Sequence, residues 1–283
     1  MTALAFLDGS RLAIGSADGS LKVWDVAKES IAVELRGHSR RVSALARVLN
    51  NTTIASASWD CTVTLWNTAT GEQVNTLHGL PGPISCMAVH PEGQVIVYGF
   101  WDGSLQVYDV LHQKSLFKLE RHRASVRAVS FTPSGRHIFS SCSMGSVKVW
   151  SMLSGKQVGS FQGNAGPLNG LSFSADGHLL RTVGQDGQVR WWSGHLGALK
   201  HVLTTQNKVQ CRSVAFSADQ ELVAVAYNDG SLRIFSTVDG RVTNKKYKAM
   251  VLPFRCRPWE RLRNCTRRAS TASSGPPGSP ASW

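Results

Sequence analysis

The chain has 283 residues, of which 42% are hydrophobic and only 17% are charged, and its formal net charge is +13. This composition provides enough apolar side chains for a sizeable core, and it excludes a mostly disordered chain or a coiled coil. No stretch reaches 18 consecutive apolar residues, so no helical membrane span is predicted. The first ten residues lack the regions of a signal peptide. We therefore expect reduced cysteines and a cytoplasmic and/or nuclear protein.

A nine-residue segment recurs along the chain, and each copy ends two residues after an aromatic side chain. These aromatic residues are spaced by 42, 42, 42, 42 and 43 residues. A second marker, Gly37-His38 and the dipeptides at the same place in later copies, keeps this period. Two markers with one period indicate a repeat architecture. The aromatic residues are Trp24, Trp66, Tyr108, Trp150, Trp192 and Phe235.

Each repeat unit contains four short β-strand patterns, as residues 84–119 illustrate. The segments ISCMAV, QVIVYG, SLQVYD and KSLFKL are rich in β-branched and aromatic residues and are bounded by turn residues. Asp-Gly pairs favour tight turns, because Gly accepts positive φ and Asp bonds back to the turn backbone. Four antiparallel strands repeated radially form the blade of a propeller. The predicted fold class is therefore all-β, a β-propeller of about six blades.

These motifs resemble those of the WD-repeat β-propeller family, over about residues 1–248. The resemblance implies a hydrogen-bonded tetrad within a blade. Its members are the His of a Gly-His dipeptide, a Ser or Thr on the second strand, an Asp in the next turn and a Trp on the third strand. The second blade matches all four positions, with His38, Ser56 or Ser58, Asp60 and Trp66.

The other tetrads are predicted to be incomplete. The fourth blade keeps His122, Ser141 and Trp150, but Met144 replaces the turn Asp. The third blade has Leu80 and Tyr108 at the His and Trp positions, and the fifth and sixth have Asn164 and Asn207 at the His position. A missing buried polar partner lowers the expected rigidity of these blades.

Six blades are predicted, and a different segment follows them. The first blade begins without a Gly-His element, which favours an open arc of a longer array over a closed ring of six. The near-uniform repeat length resembles the long propeller arrays of large assembly proteins. Residues 249–283 lose the period and are predicted to be mostly disordered, because their basic and then Ser/Pro/Gly-rich composition buries little apolar area. The predicted blades are 1–35, 36–77, 78–119, 120–161, 162–203 and 204 to about 248.

Most of the positive charge lies near the end of the chain, where residues 241–268 hold ten basic residues and one acid. These side chains are candidates for neutralising RNA phosphates, for contacting an anionic membrane or for nuclear import, and the sequence leaves the three open. The candidate residues are Lys245, Lys246, Lys248, Arg255, Arg257, Arg261, Arg263, Arg267 and Arg268.

Loops on one face of the predicted propeller combine arginine with tryptophan, the residue types that dominate binding hot spots. Such a face suits an acidic peptide segment, and it suits single-stranded RNA through stacking and phosphate contacts. The alternative is that the two tryptophans pack between blades and the arginines form a solvated rim. The candidate partner-binding residues are Arg40, Arg41, Trp59, Trp101, Arg121 and Arg123.

No motif for catalysis, for a cofactor or for a metal is found. His38 and His122 fall at tetrad positions, and the other histidines are scattered over several blades without ligand spacing. We therefore predict a protein that is not an enzyme and needs no cofactor. The family resemblance implies a non-catalytic protein–protein interaction scaffold of a multiprotein assembly. The alternative is an RNA-binding component of a ribonucleoprotein that uses the basic and aromatic face and the basic tail.

Overall fold

A computed structural model describes most of the repeat region. The described residues are 2–8, 10–48, 52–174, 176–193, 198–204, 210–216, 222–227, 231–236 and 242–248. Their regular structure consists of 24 β-strands. Contacts divide the chain into Met1–Tyr247 and Lys248–Trp283. The predicted tail, 249–283, lies outside the described residues.

Six four-stranded antiparallel sheets follow one another along the chain, and each is one blade built from four consecutive strands. The first three blades consist of β1 (Ala3–Phe6), β2 (Arg11–Gly15), β3 (Leu21–Asp25), β4 (Ser30–Leu35), β5 (Val42–Val48), β6 (Thr53–Ser58), β7 (Val63–Asn67), β8 (Gln73–Leu77), β9 (Ile84–Val89), β10 (Val95–Phe100), β11 (Leu105–Asp109) and β12 (Lys114–Leu119). The last three consist of β13 (Val126–Phe131), β14 (His137–Cys142), β15 (Ser146–Ser151), β16 (Gln157–Gln162), β17 (Leu168–Phe173), β18 (Leu179–Gly184), β19 (Gln188–Ser193), β20 (Leu199–Thr204), β21 (Cys211–Phe216), β22 (Leu222–Tyr227), β23 (Ser231–Ser236) and β24 (Val242–Lys248). The predicted all-β fold of six four-stranded blades is confirmed.

The hydrophobic core lies between blades rather than within them. Side chains alternate across each strand, so each blade has two apolar faces. We call the face that packs on the preceding blade the leading face, and the other the trailing face. Val97 and Val107 on the trailing face of the third blade cluster with Val129 and Phe131 on the leading face of the fourth. Equivalent clusters join the other neighbouring blades.

The first strands of the blades contact one another in chain order, from β1 through β5, β9, β13 and β17 to β21. Within the described part of the chain, no comparable contact joins β21 to β1. The sheets therefore do not close into a ring, and the six blades form an open arc.

A β-bulge recurs in the first five blades where the third strand pairs with the fourth. In the fourth blade Val149 pairs with Gly159 and Trp150 pairs with Gln157, so one extra residue, Val158, is inserted in the outer strand. A bulge increases local twist. The outer strand of each of these blades is therefore twisted next to the aromatic residue that marks the repeat.

Turn glycines connect one blade to the next. Gly103, in the turn between β10 and β11, has φ of 91°, and its carbonyl accepts a 2.8 Å hydrogen bond from the backbone N of His122. A Cβ on Gly103 would lie 2.5 Å from the carbonyl oxygen of His122. The Asp-Gly turn therefore needs Gly for its own conformation and also for close approach to the following blade.

Replacing Gly103 by Ala should lower the free energy of unfolding by about 2 kcal/mol, because the left-handed backbone and the nearby carbonyl both disfavour a side chain. Urea unfolding followed by tryptophan fluorescence measures the change. Gly82→Ala is the matched control, since no atom lies within 4 Å of a Cβ built there. Equal stability of the two variants would contradict the proposed close contact between these blades.

Candidate protein-interaction site

The tetrad of the second blade is complete and forms a directional relay of hydrogen bonds. Trp66 Nε1 donates to Ser56 Oγ at 2.7 Å, and the Ser56 hydroxyl donates to His38 Nε2 at 2.6 Å. His38 Nδ1 then donates to Asp60 Oδ2 at 2.9 Å. Ser58, the alternative member, instead donates to the backbone carbonyl of Arg40. Ser56 therefore occupies the tetrad position.

Asp60 sits where the relay ends, in the turn between β6 and β7. Burial acts to raise the pKa of this carboxyl, but hydrogen bonds from Thr62 and His38 outweigh it and hold the pKa below its ordinary value. The backbone N of Ser39 also donates to Asp60 at 3.0 Å. The ionised carboxylate thus ties the turn to the loop that precedes the first strand of the same blade.

The fourth blade corrects one sequence assignment. Trp150 Nε1 donates to Ser140 at 2.8 Å, and the Ser140 hydroxyl bonds His122 Nε2 at 2.7 Å. Ser141, which the sequence analysis placed in this tetrad, points to the other face and donates to the carbonyl of Ala128 at 3.4 Å. The alternation of side chains along β14 is the reason, since only Ser140 shares the face of Trp150.

His122 lacks the partner that His38 has. The turn residue here is Met144, and the buried Nδ1 atom of His122 has no hydrogen-bond partner. Burial, with a smaller contribution from the positive charge of Lys148, lowers the pKa of His122 to about 4. The imidazole is therefore neutral at pH 7 and carries an unsatisfied donor.

The fifth blade completes its relay without histidine. Trp192 Nε1 donates to Thr182 Oγ1 at 2.9 Å, and Thr182 donates to the side-chain oxygen of Asn164 at 3.0 Å. The amide nitrogen of Asn164 then donates to Asp186 at 2.8 Å. The expected loss of a polar partner in this blade was wrong, because the carboxamide accepts and donates at the same two places as an imidazole.

The third blade replaces the relay with apolar packing. Tyr98 stands where the second blade has Ser56, is fully buried and stacks edge-to-face on Phe100 with ring centroids 5.5 Å apart. Its hydroxyl has no hydrogen-bond partner. Leu80, at the His position, packs against the same cluster. In the sixth blade, Asn207 and Asp229 lie outside the described residues.

Three of the six predicted Arg and Trp residues, Trp59, Trp101 and Arg41, come together where the second and third blades meet. The rings of Trp59 and Trp101 pack edge-to-face with centroids 5.2 Å apart. The guanidinium of Arg41 lies 5.1 Å from the centroid of Trp59. Trp101 remains 48% exposed. The tryptophans thus pack across the blade boundary and still offer an aromatic surface to solvent.

Arg121 joins this surface through the turn of the third blade. Its guanidinium donates to the Asp102 carbonyl at 2.6 Å and lies 3.4 Å from the Asp102 carboxylate. The side chains of Arg40 and Arg123 are also exposed. Among the described residues, no carboxylate lies within 4.0 Å of the guanidinium groups of Arg40, Arg41 or Arg123. The surface therefore carries surplus positive charge.

A family model described as WD domain, G-beta repeat matches residues 1–25, 29–67, 71–109, 113–151, 155–193 and 197–236. The chain belongs to the WD40 family. Family members of this propeller type generally act as protein-interaction scaffolds. No curated protein matches the chain. Among solved structures, the fold is similar to the β-propeller domain of Cps50 (Swd1) from Myceliophteria thermophila, with a TM-score of 0.80 and 21% identity over 87% of this chain and 85% of that one.

Met144 is an exposed apolar side chain that the sequence did not single out as a binding candidate. Met144 lies in the turn of the fourth blade, at the place equivalent to Asp60 and Asp102, and is 58% exposed. An Asp at this position would provide the hydrogen-bond acceptor that His122 lacks, so Met144 does not serve the stability of the blade. Its exposed thioether instead favours a role in contacts at the surface. The signal was present in the sequence as the one Asp-to-Met change among the repeats.

The candidate basic residues divide into two groups. Lys245, Lys246 and Lys248 lie on β24, the outer strand of the sixth blade. The six arginines from Arg255 to Arg268 lie outside the described residues.

No cluster of three His, Cys, Asp or Glu side chains among the described residues has metal-binding geometry. In the same part of the chain, no helix is long and apolar enough to cross a membrane.

Replacing Ser140 by Ala should lower the free energy of unfolding by about 2–3 kcal/mol, because both Trp150 and His122 lose a buried partner. Ser141→Ala, the adjacent control, should cost less than about 1 kcal/mol, since its hydrogen bond is long. Urea unfolding measures both. A larger effect at Ser141 would return that residue to the tetrad.

Met144→Asp should raise the free energy of unfolding at pH 7 by about 1 kcal/mol, because the new carboxylate accepts the unsatisfied donor of His122. Met144→Leu removes the sulfur without adding an acceptor and should be neutral. Thermal melting of the two variants beside the natural sequence gives the comparison. No gain for Met144→Asp would mean that its carboxylate cannot reach His122.

The stability of the natural sequence should also depend on pH through His122. Its pKa is lowered in the folded state, so the unfolded chain binds a proton more readily. The stabilisation is present above the ordinary pKa of about 6.5 and is lost as pH falls toward 4. Unfolding at pH 7.5, 6 and 5 should show a steeper decline for Met144→Leu than for Met144→Asp. Parallel declines would show that His122 does not control this range.

Proposed function

We propose that this chain is a non-catalytic interaction scaffold that binds acidic peptide segments on what we call the Arg/Trp surface. The edge-to-face pair of Trp59 and Trp101, capped on one side by Arg41, is the observation on which the proposal depends. Exposed tryptophan next to arginine provides a large contact area together with charge that pairs with carboxylates. The surface consists of Arg40, Arg41, Trp59, Trp101, Arg121 and Arg123.

The backbone holds this surface in place before any partner arrives. The backbone N of Trp59 donates to the carbonyl of Arg41 at 2.9 Å, and that of Trp101 donates to the carbonyl of Pro83 at 3.2 Å. Asp60, next to Trp59, belongs to the tetrad of the second blade. A preorganised surface loses little conformational entropy on binding, which supports its use as a docking site.

The charge balance favours an acidic partner. Asp60 is engaged by His38 and Thr62, and Asp102 is engaged by Ser104 and Arg121. The acids of these two turns are thus already paired, whereas Arg40, Arg41 and Arg123 are not. Complementary charge of this kind speeds association and selects against basic partners.

RNA binding as part of a ribonucleoprotein remains the alternative from the sequence, because arginine and aromatic side chains also suit single-stranded RNA.

A relationship to the C-terminal propeller region of the telomerase-associated protein rests only on repeat length and degenerate tetrads. It is a prediction, as is a location in the cytoplasm and/or nucleus. None of the described contacts favours RNA over an acidic peptide.

Fluorescence anisotropy of a labelled peptide rich in Asp and Glu with one central Leu tests the proposal. Trp101→Ala and Arg41→Ala should each weaken binding at least about tenfold, because each removes a central contact. Arg136→Ala is the control, since this exposed Arg lies in the turn between β13 and β14, at the opposite edge of the blades. It should leave the affinity unchanged.

A labelled oligouridylate measured in parallel separates the two candidate partners. Binding of RNA but not of the peptide, with loss in Trp101→Ala, would replace our proposal with the RNA-binding alternative. Equal losses in Arg136→Ala and Arg41→Ala would mean that the peptide responds only to total charge.

A further inference from the structure

Among the first strands whose side-chain burial the structure describes, β1, β5, β9, β13 and β17, only β1 carries exposed large apolar side chains, and they lie on the leading face of the first blade. Phe6 is 68% exposed and Leu4 is 46% exposed. Phe131 and Phe173, at the place of Phe6 in the fourth and fifth blades, are each 7% exposed. The difference measures what a preceding blade covers.

Strand register establishes that these positions are equivalent. Phe6 pairs with Leu12, which pairs with Trp24. In the fourth blade Phe131 pairs with Ile138, which pairs with Trp150. The fifth blade repeats this arrangement. The repeat aromatic follows the same rule, because Trp24 is only half-buried while Trp66 and Trp150 are fully buried.

The exposed face is also more apolar than the leading faces of the second, fourth and fifth blades, which carry polar relays. Ile14 stands where the second blade has the tetrad Ser56, so no polar relay crosses this face. Ile31, 42% exposed, extends it toward the outer strand. Beside Ile14 on this face, Lys22 lies 3.5 Å from Glu34, which also pairs with the exposed Arg36 at 2.8 Å. Both charged side chains of the face therefore have an opposite charge beside them.

The third blade shows what covers a leading face of this kind. Its tetrad position holds Tyr98 instead of Ser, and that leading face is buried on Ala55, Ala57 and Leu65 of the second blade. An aliphatic trailing face of a WD40 blade is therefore the complementary surface within this molecule.

The sixth blade supplies such a trailing face at the other end of the arc. Its leading side packs Val225 and Phe235 on the fifth blade. Ala224 and Ile234 pair across β22 and β23 on the opposite side, at the places of Val97 and Val107, and both are half-buried. One chain thus carries both halves of a blade–blade contact, and among the described residues no comparable contact joins the sixth blade to the first.

We propose that the leading face of the first blade binds the sixth blade of a second copy of this chain. The contact is heterologous, because each copy contributes a different face. It continues the series of blade–blade interfaces from one copy into the next. Binding of a peptide on the Arg/Trp surface does not depend on it.

Analytical ultracentrifugation of the full chain over a concentration series tests this proposal. The natural sequence should increase in molar mass with concentration. Phe6→Glu should move the midpoint to a concentration at least about tenfold higher, because the carboxylate is placed at the centre of the contact. Leu153→Glu is the matched control, since Leu153 is 93% exposed in a turn of the fourth blade. It should associate like the natural sequence.

Mixing distinguishes two different faces from one face that pairs with itself. Phe6→Glu keeps an intact sixth blade and Ile234→Glu keeps an intact first blade, so each alone should stay monomeric and their mixture should form a dimer. Far-UV circular dichroism shows whether Ile234→Glu is folded. If it is unfolded, Phe6→Glu is mixed with the natural sequence instead, and the intact sixth blade of Phe6→Glu should bind the first blade of the natural chain. A natural sequence that stays monomeric at every concentration overturns the proposal. Association of Phe6→Glu at the natural midpoint overturns it as well.

Discussion

Burial of one blade against the next is the interaction on which the rest of this structure depends. A single four-stranded sheet with apolar side chains on both faces cannot exclude water from either. The clusters that join Val97 and Val107 to Val129 and Phe131, and their counterparts elsewhere, provide the missing cover. The free energy of unfolding is therefore approximately the sum of a contribution from each blade and a contribution from each interface between neighbouring blades, as in other repeat proteins.

Polar relays add directional order to this apolar packing. In the second and fifth blades the relay runs from Trp through a hydroxyl to His38 or Asn164 and then to a carboxylate in the turn. The turn carrying the carboxylate also carries the neighbouring surface residue, Trp59 in the second blade. The hydrogen bonds that hold the turn thus position the side chains that we propose as the binding surface. The fourth blade lacks this connection between relay and turn, because Met144 leaves the Nδ1 atom of His122 without a hydrogen-bond partner.

The sequence was sufficient to predict the fold, because a period of 42 residues with four strand patterns per unit allows few architectures. The family resemblance also pointed to the tetrad of the second blade, with Ser56 and Ser58 left as alternatives. The binding role of the Arg/Trp surface stays a prediction. The sequence analysis misplaced Ser141, although counting two periods from Ser56 leads to Ser140. It could not show that Asn164 replaces a histidine without loss, because that depends on where the carboxamide atoms lie. The exposure of Phe6 likewise depends on which blades contact each other, and a local sequence pattern does not show this.

Turn glycines lie close to a neighbouring blade at both edges of the blades. At one edge Gly103 reaches His122 of the following blade, so the length of that turn is constrained by a neighbour. At the other edge Gly155, in the turn between β15 and β16, reaches the ring of Phe117 in the preceding blade. Leu153 lies in the same turn, but its side chain is 93% exposed. A fluorescent label is therefore better attached through a cysteine at position 153 than through an insertion, which would change the spacing between Gly155 and Phe117.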